Sequence, residues 1–142
     1  MNSVWRWAFA LLVLIGQVVQ GAQAQTGGRL LVARQVTAST WYVEGESALG
    51  SAANRNFISN AGFVITPEGV VVIDALGSPE LARELLREIA KITPRKVTHV
   101  VVTHYHADHV YGLQVFEEAG ATILAHRGAL EYIHSDTAMS RL

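Results

Sequence analysis

Thr103-His104-Tyr105-His106-Ala107-Asp108-His109, preceded by the apolar run Val97 to Val102, decides how this chain is read. Three of the six histidines in the sequence fall within it, one of them beside a carboxylate. Imidazole nitrogen and carboxylate oxygen are donors suited to zinc and similar divalent ions, and a site needs three or four of them converging on one point. In extended backbone, residues two apart project the same way, so His104 and His106 can grip one ion from one side. Asp108 and His109 follow where the chain turns into a helix, and they point to a neighbouring position. The spacing suggests two adjacent metal positions. A solvated loop merely rich in histidine has no reason to set four potential ligands directly after a buried strand.

Upstream, Phe57 to Thr66 and Val70 to Ile73 flank Pro67-Glu68-Gly69, a turn composition between two apolar runs and so a hairpin. Val70 to Ile73 shows no polar alternation, which predicts a strand buried on both faces. Asp74 ends it, an acid where an unpaired charge is costly. Ser78-Pro79-Glu80 is a helix start: a hydroxyl cap, a proline that misses no N–H, and an acid at the positive end of the dipole. Leu81, Leu85, Ile89 and Ile92 give that helix one apolar face, and Pro94 ends it. Glu80/Arg83, Glu84/Arg87 and Glu88/Lys91 read as its solvated surface. Val97 to Val102 is the next buried strand, with His99 expected to point with Val97 and Val101 into packing. Strand, helix and strand form a βαβ-like crossover whose carboxyl end delivers His104 into the crevice where α/β folds place their chemistry.

After the ligands, Val110, Leu113 and Phe116 continue at helical spacing to Glu117-Glu118-Ala119, with Gly120 as the helix end. Ala121 to Ala125 is a short strand, and Arg127 to Met139 a further helix with Leu130 and Ile133 inward. His126 and His134 are ligands by residue type alone and are not assigned.

The segment His104, His106, Asp108, His109, with Asp74 at the end of an upstream strand, resembles the HxHxDH signature of the metallo-β-lactamase superfamily. The resemblance implies a four-layer αββα fold of the α/β (α+β) class, of which this chain holds roughly the first half. It implies that His104 and His106 belong to one zinc and Asp108 and His109 to another, two ions in all, with iron as the alternative metal. It further implies that Asp74, together with Thr103, supports the ligand loop from behind by hydrogen bonding. Water between two such ions has its pKa lowered towards neutrality and, oriented by Asp108, attacks an ester, thioester or amide-like bond. In the family a later His, a bridging Asp and a final His complete the site. None is identified here, so the chain is expected to be the N-terminal part of a longer protein whose exposed sheet is sticky when expressed alone.

Within the superfamily, iron-dependent electron-transfer flavoproteins carry Glu at the second His position; His106 favours the hydrolase-like branches. Alternatives are a β-lactamase proper, an iron-dependent sulfur dioxygenase with a similar motif, and a truncated non-catalytic fragment. Val110-Tyr111-Gly112 departs from the glycine pair common after the last motif residue.

With 142 residues, 50% apolar and 16% charged, the chain reads as one globular domain. A formal net charge of -1 gives no basic field for nucleic acid, so the expected partner is a small-molecule substrate. Cysteine is absent, which removes disulfides and thiolate ligands from consideration. The compartment is read from the N-terminus. Met1 to Gln25 has Arg6 as its only charge, an apolar stretch Trp7 to Ile15, and an Ala22-Gln23-Ala24 end, the pattern of a secretory signal peptide cleaved after Ala24. Nine uninterrupted apolar residues are too few for a bilayer span of about 20, so no stable membrane anchor is expected, and the destination is the periplasm. The organisation is then a signal peptide over 1–24, N-terminal strands and a loop over 25–55, and the metallo-β-lactamase-like region over 56–142. Arg29 to Val36 and Thr40 to Val43 have strand composition, Ser47 to Arg55 that of a loop. Trp41 and Tyr42 read as core in preference to a substrate mouth.

Overall fold

The computed structural model describes residues 30–133; the expected signal peptide, His134 and the end of the last expected helix lie outside them. Six strands form one sheet in the order β1-β2-β3-β4-β5-β6: β1 Arg34–Gln35, β2 Thr40–Val43, β3 Ala61–Thr66, β4 Gly69–Ile73, β5 Val97–Val101 and β6 Thr122–Leu124. The first four run antiparallel, with the β3–β4 hairpin turning at Pro67-Glu68 as its composition predicts. From β4 onward the pairing is parallel, β4 with β5 and β5 with β6. Each parallel step crosses through helix: α1 Pro79–Ile92 in the first, α2 Ala107–Val110 and α3 Leu113–Glu118 in the second. A short α4, Ala129–Ile133, follows β6.

α1 forms as its sequence dictates. Ser78 caps it, its hydroxyl accepting from the Leu81 N–H at 3.2 Å, and Leu81, Leu85 and Ile89 are buried on one face. They meet a row that the strand register lines up across the sheet, Trp41, Phe63, Val72, Val100 and Ile123. Phe116 of α3 completes this core at 0% exposure. Trp41 stacks on Phe63 with ring centroids 6.3 Å apart and planes within 3°, the core role expected of it.

Some expectations change. Val70 to Ile73 is not buried on both faces: Val70 and Val72 face the helices, whereas Val71 and Ile73 are only half-buried. Among the described residues no layer covers the face that carries Val71, Ile73, Val101 and Leu124. His99 lies on that face between Val71 and Thr122, half-buried. A register shift between Val70 and Val71 turns Val97 and Val100 inward together, so Val97 does not share the side of His99 and Val101. Of the expected first strand only Arg34–Gln35 pairs. The helix after the ligands is two helices, broken at Tyr111-Gly112. In α4, Leu130 points to solvent at 62% exposure rather than inward. Glu84 turns away from the helix surface to a bidentate pair with Arg55, at 2.6 and 3.0 Å.

Candidate metal centre

β4 and β5 are adjacent and parallel, so the residues that follow them emerge side by side; the Asp74 N–H still donates to Val101 O at 3.0 Å. Immediately afterwards the chain bends sharply. Asp74 and Leu76 sit in the left-handed region at φ 64 and 66, a conformation non-glycine residues adopt at a cost of about 1–3 kcal/mol each when the surroundings demand it. Here the demand is visible. The bend swings the Asp74 carboxylate back over the end of β5, where Oδ1 accepts from the Thr103 N–H at 2.8 Å and Oδ2 from the Thr103 hydroxyl at 2.7 Å. Oδ2 also meets His109 Nδ1 at 2.8 Å. Asp74 is 5% exposed, and three donors compensate its burial.

This network fixes which nitrogen carries the proton in His109 and in His104. A carboxylate has no proton to give, so His109 Nδ1 carries the hydrogen of that bond and the Nε2 of a neutral ring is left with a lone pair. The Thr103 hydroxyl spends its hydrogen on Asp74, so its oxygen accepts from His104 Nδ1, 2.9 Å away. His104 thereby also presents Nε2 as a lone pair. Asp74 sets both rings, one directly and one through Thr103.

The four expected ligands then fall into two pairs. His104 Nε2 lies 3.2 Å from His106 Nδ1, and His109 Nε2 lies 3.4 Å from Asp108 Oδ2. Two donors on one tetrahedral zinc, each about 2.0–2.1 Å from it, lie about 3.3 Å apart. Both separations fit that value, and the donor set is of the nitrogen and oxygen types zinc takes. The rings of His104 and His109 are 4.1 Å apart, so the pairs adjoin. Asp74, His104 and His109 also place ligand atoms within 4.8 Å of one another. The oxygens of Asp74 are engaged by Thr103 and His109.

The ligand turn is held from below by backbone. Ala75 N–H donates to His109 O at 2.8 Å, and Gly112 N–H to Leu76 O at 3.2 Å. That second bond breaks the expected single helix, because it turns the Gly112 donor away from its own helix. Position 112 has no space for a side chain: a Cβ there would lie 2.1 Å from Ala75 O and 2.7 Å from Ala82 Cβ. The expected supporting pair, Asp74 and Thr103, is brought to the ligands, and His99 is not. His126 instead accepts from Gly128 N–H at 3.1 Å and is absent from the close donor group. His104 also lines an apolar cavity of about 640 Å³ with Val102, Val110, Leu113 and Ile123. Sequence reasoning missed Ser59, which reaches the turn across 49 positions; nothing adjacent to it in the chain signals the contact.

The model of the metallo-beta-lactamase superfamily matches residues 54–142. A type 2 metallo-beta-lactamase of Bacillus cereus is 31% identical over 96 residues, covering 68% of this chain and 36% of that protein. A linear primary-alkylsulfatase of a Pseudomonas strain is 36% identical over 50 residues, 35% of this chain and 10% of that protein. The mono-zinc crystal structure of the metallo-beta-lactamase FIM-1 from Pseudomonas aeruginosa superimposes with a TM-score of 0.58 at 14% identity, covering 71% of this chain and 44% of that one. At that identity the likeness is one of fold. The chain spans about a third of the length of the first curated relatives it matches.

Proposed function

Because the chain belongs to the metallo-beta-lactamase superfamily, we propose that it carries the metal-binding front half of an exported, zinc-dependent hydrolase acting on a small molecule. The observation that carries this reading is the pairing of donors: His104 with His106 at 3.2 Å, and Asp108 with His109 at 3.4 Å, both near the separation one zinc imposes. His104 and His106 would hold one ion, Asp108 and His109 the second. When bound, zinc supplies an activated water and polarises the bond to be broken. Asp74 keeps protons on the Nδ1 atoms of His109 and, through Thr103, of His104, so that both Nε2 atoms stay available. Asp108 has a second carboxylate oxygen with which to accept a hydrogen bond from the attacking water and orient it. The apolar cavity beside His104 is within the size range of small-ligand sites, which run from about 300 to 1,000 Å³.

Relatives named β-lactamase and alkylsulfatase support hydrolysis of an ester, thioester or amide-like bond as the reaction class. Hydrolysis by the protein is expected to disappear in His104→Ala, and zinc uptake to fall in His104→Ala and His106→Ala, with the circular-dichroism spectrum kept. Hydrolysis that survives His104→Ala would reject the zinc mechanism. Iron as the bound metal would move the reading to a dioxygenase. Export rests on the Met1 to Gln25 pattern; no helix among the described residues is long and apolar enough to cross a membrane. N-terminal sequencing of the periplasmic fraction should begin at Gln25, and protein retained in the cytosol with Met1 intact would overturn export.

A further inference from the structure

Asp108 sits in a one-turn helix closed by the Tyr111 N–H donating to Ala107 O at 3.1 Å. α2 has four residues, no buried side chain and no side-chain cap. The donor that would close its turn onto the Asp108 carbonyl is the Gly112 N–H, and this bonds to Leu76 O instead. The Asp108 carbonyl would then be an orphaned helix acceptor beside the candidate site. It is taken by the Ser59 hydroxyl. Ser59 is 5% exposed and lies in the segment between Phe57 and β3, which belongs to the sheet's antiparallel half and contributes no proposed ligand. From the other side Gly77 closes on the same residue: a Cβ at position 77 would lie 3.2 Å from Asp108 Cα. The Asp108 backbone is thus held between a hydroxyl and a glycine.

We propose that Ser59 is a positioning residue for Asp108. By bonding the main-chain oxygen it fixes the rotation of the α2 turn, and with it the direction of the Asp108 carboxylate towards His109 Nε2. The proposal rests on the metal-site reading above. The Ser59 hydroxyl bonds a main-chain oxygen, so it acts through the backbone of one proposed ligand.

The test compares Ser59→Ala, Ser59→Thr and Thr93→Ala, the last a deletion of another buried hydroxyl, on the C-cap of α1. Two readouts are taken on the full chain. In the metal-free protein, amide hydrogen exchange at His109, Tyr111 and Gly112 should accelerate about tenfold in Ser59→Ala and stay near wild type in the other two. Acceleration spread equally over α1 and β4 would mean a general structural role and would overturn the proposal, as would unchanged exchange. In cobalt titrations, Ser59→Ala should bind about 10–100-fold more weakly, with an altered visible band, as expected when a group orienting a ligand is lost. Ser59→Thr should restore both. Unchanged cobalt affinity in Ser59→Ala, or equal loss in Thr93→Ala, would overturn it. Wild-type protein that takes up no cobalt would sink the metal reading by itself; the exchange experiment needs no metal and judges Ser59 in that event as well.

Discussion

Asp74 illustrates how one residue can carry conformation, charge and recognition together. Its left-handed φ of 64 is tolerated because short polar side chains bond locally there, and its two oxygens receive Thr103 and His109. Asp74→Asn separates these roles. Asparagine accepts the backbone conformation and keeps one carbonyl acceptor, but its NH₂ cannot accept from Thr103 Oγ1 or from His109 Nδ1. Zinc affinity is expected to fall about 10–100-fold while the far-ultraviolet spectrum is unchanged; competition with a chromophoric chelator measures it. Equal affinity in the variant would mean that the carboxylate does not set the rings. That an acid closes a buried strand was readable from the sequence. The family resemblance already set Thr103 with it; the individual bonds, and His109 as the third donor, were not readable, because Thr103 and His109 lie 29 and 35 positions away and only the parallel pairing of β4 with β5 brings them together.

At the scale of elements, α1 and the loop before β3 are joined by Arg55 and Glu84. The guanidinium hydrogen bonds, with a smaller coulombic contribution, hold the Glu84 carboxyl below the usual range against the opposing effect of burial. The same bond raises Arg55. A carboxyl depressed in the folded state stabilises above its unfolded pKa, about 4.3 for glutamate, and that contribution is lost as pH falls through the lower folded value. Side-chain exposures of 30% and 26% place the pair between surface and core, so Glu84→Gln should cost about 1 kcal/mol at neutral pH. Urea midpoints of wild type and variant should converge on acidification below the ordinary glutamate range; a gap that persists there would exclude the ion pair as its source. Spacing along the helix suggested Glu84 with Arg87, three residues on. Arg87 contributes only a minor coulombic effect, because the loop carries Arg55 across with two donors in fork geometry.

At the scale of the whole fold, the sheet is covered on one side among the described residues. Val71, Ile73, Val101 and Leu124 form an apolar surface on the other, with Leu124 46% exposed. Such a surface binds apolar dyes and promotes self-association. Leu124→Lys, on the three-residue edge strand β6, is expected to lower both without lowering the denaturation midpoint; light scattering across a concentration series measures it, and unchanged association would place the contact elsewhere. Local pattern alone determined the elements: the Ser78-Pro79 start and apolar face of α1, the Pro67-Glu68 hairpin, the strand feeding His104, and the four ligand types at their spacing. These depend on neighbours within a few residues, where backbone geometry and periodicity act. Tertiary structure alone decided which face of β4 is covered, where the helix after the ligands breaks, which nitrogens of His104 and His109 are engaged by Thr103 and Asp74, and that Ser59 reaches Asp108. Each depends on groups brought together across the fold by strand pairing and close packing, and a one-dimensional pattern carries no record of them.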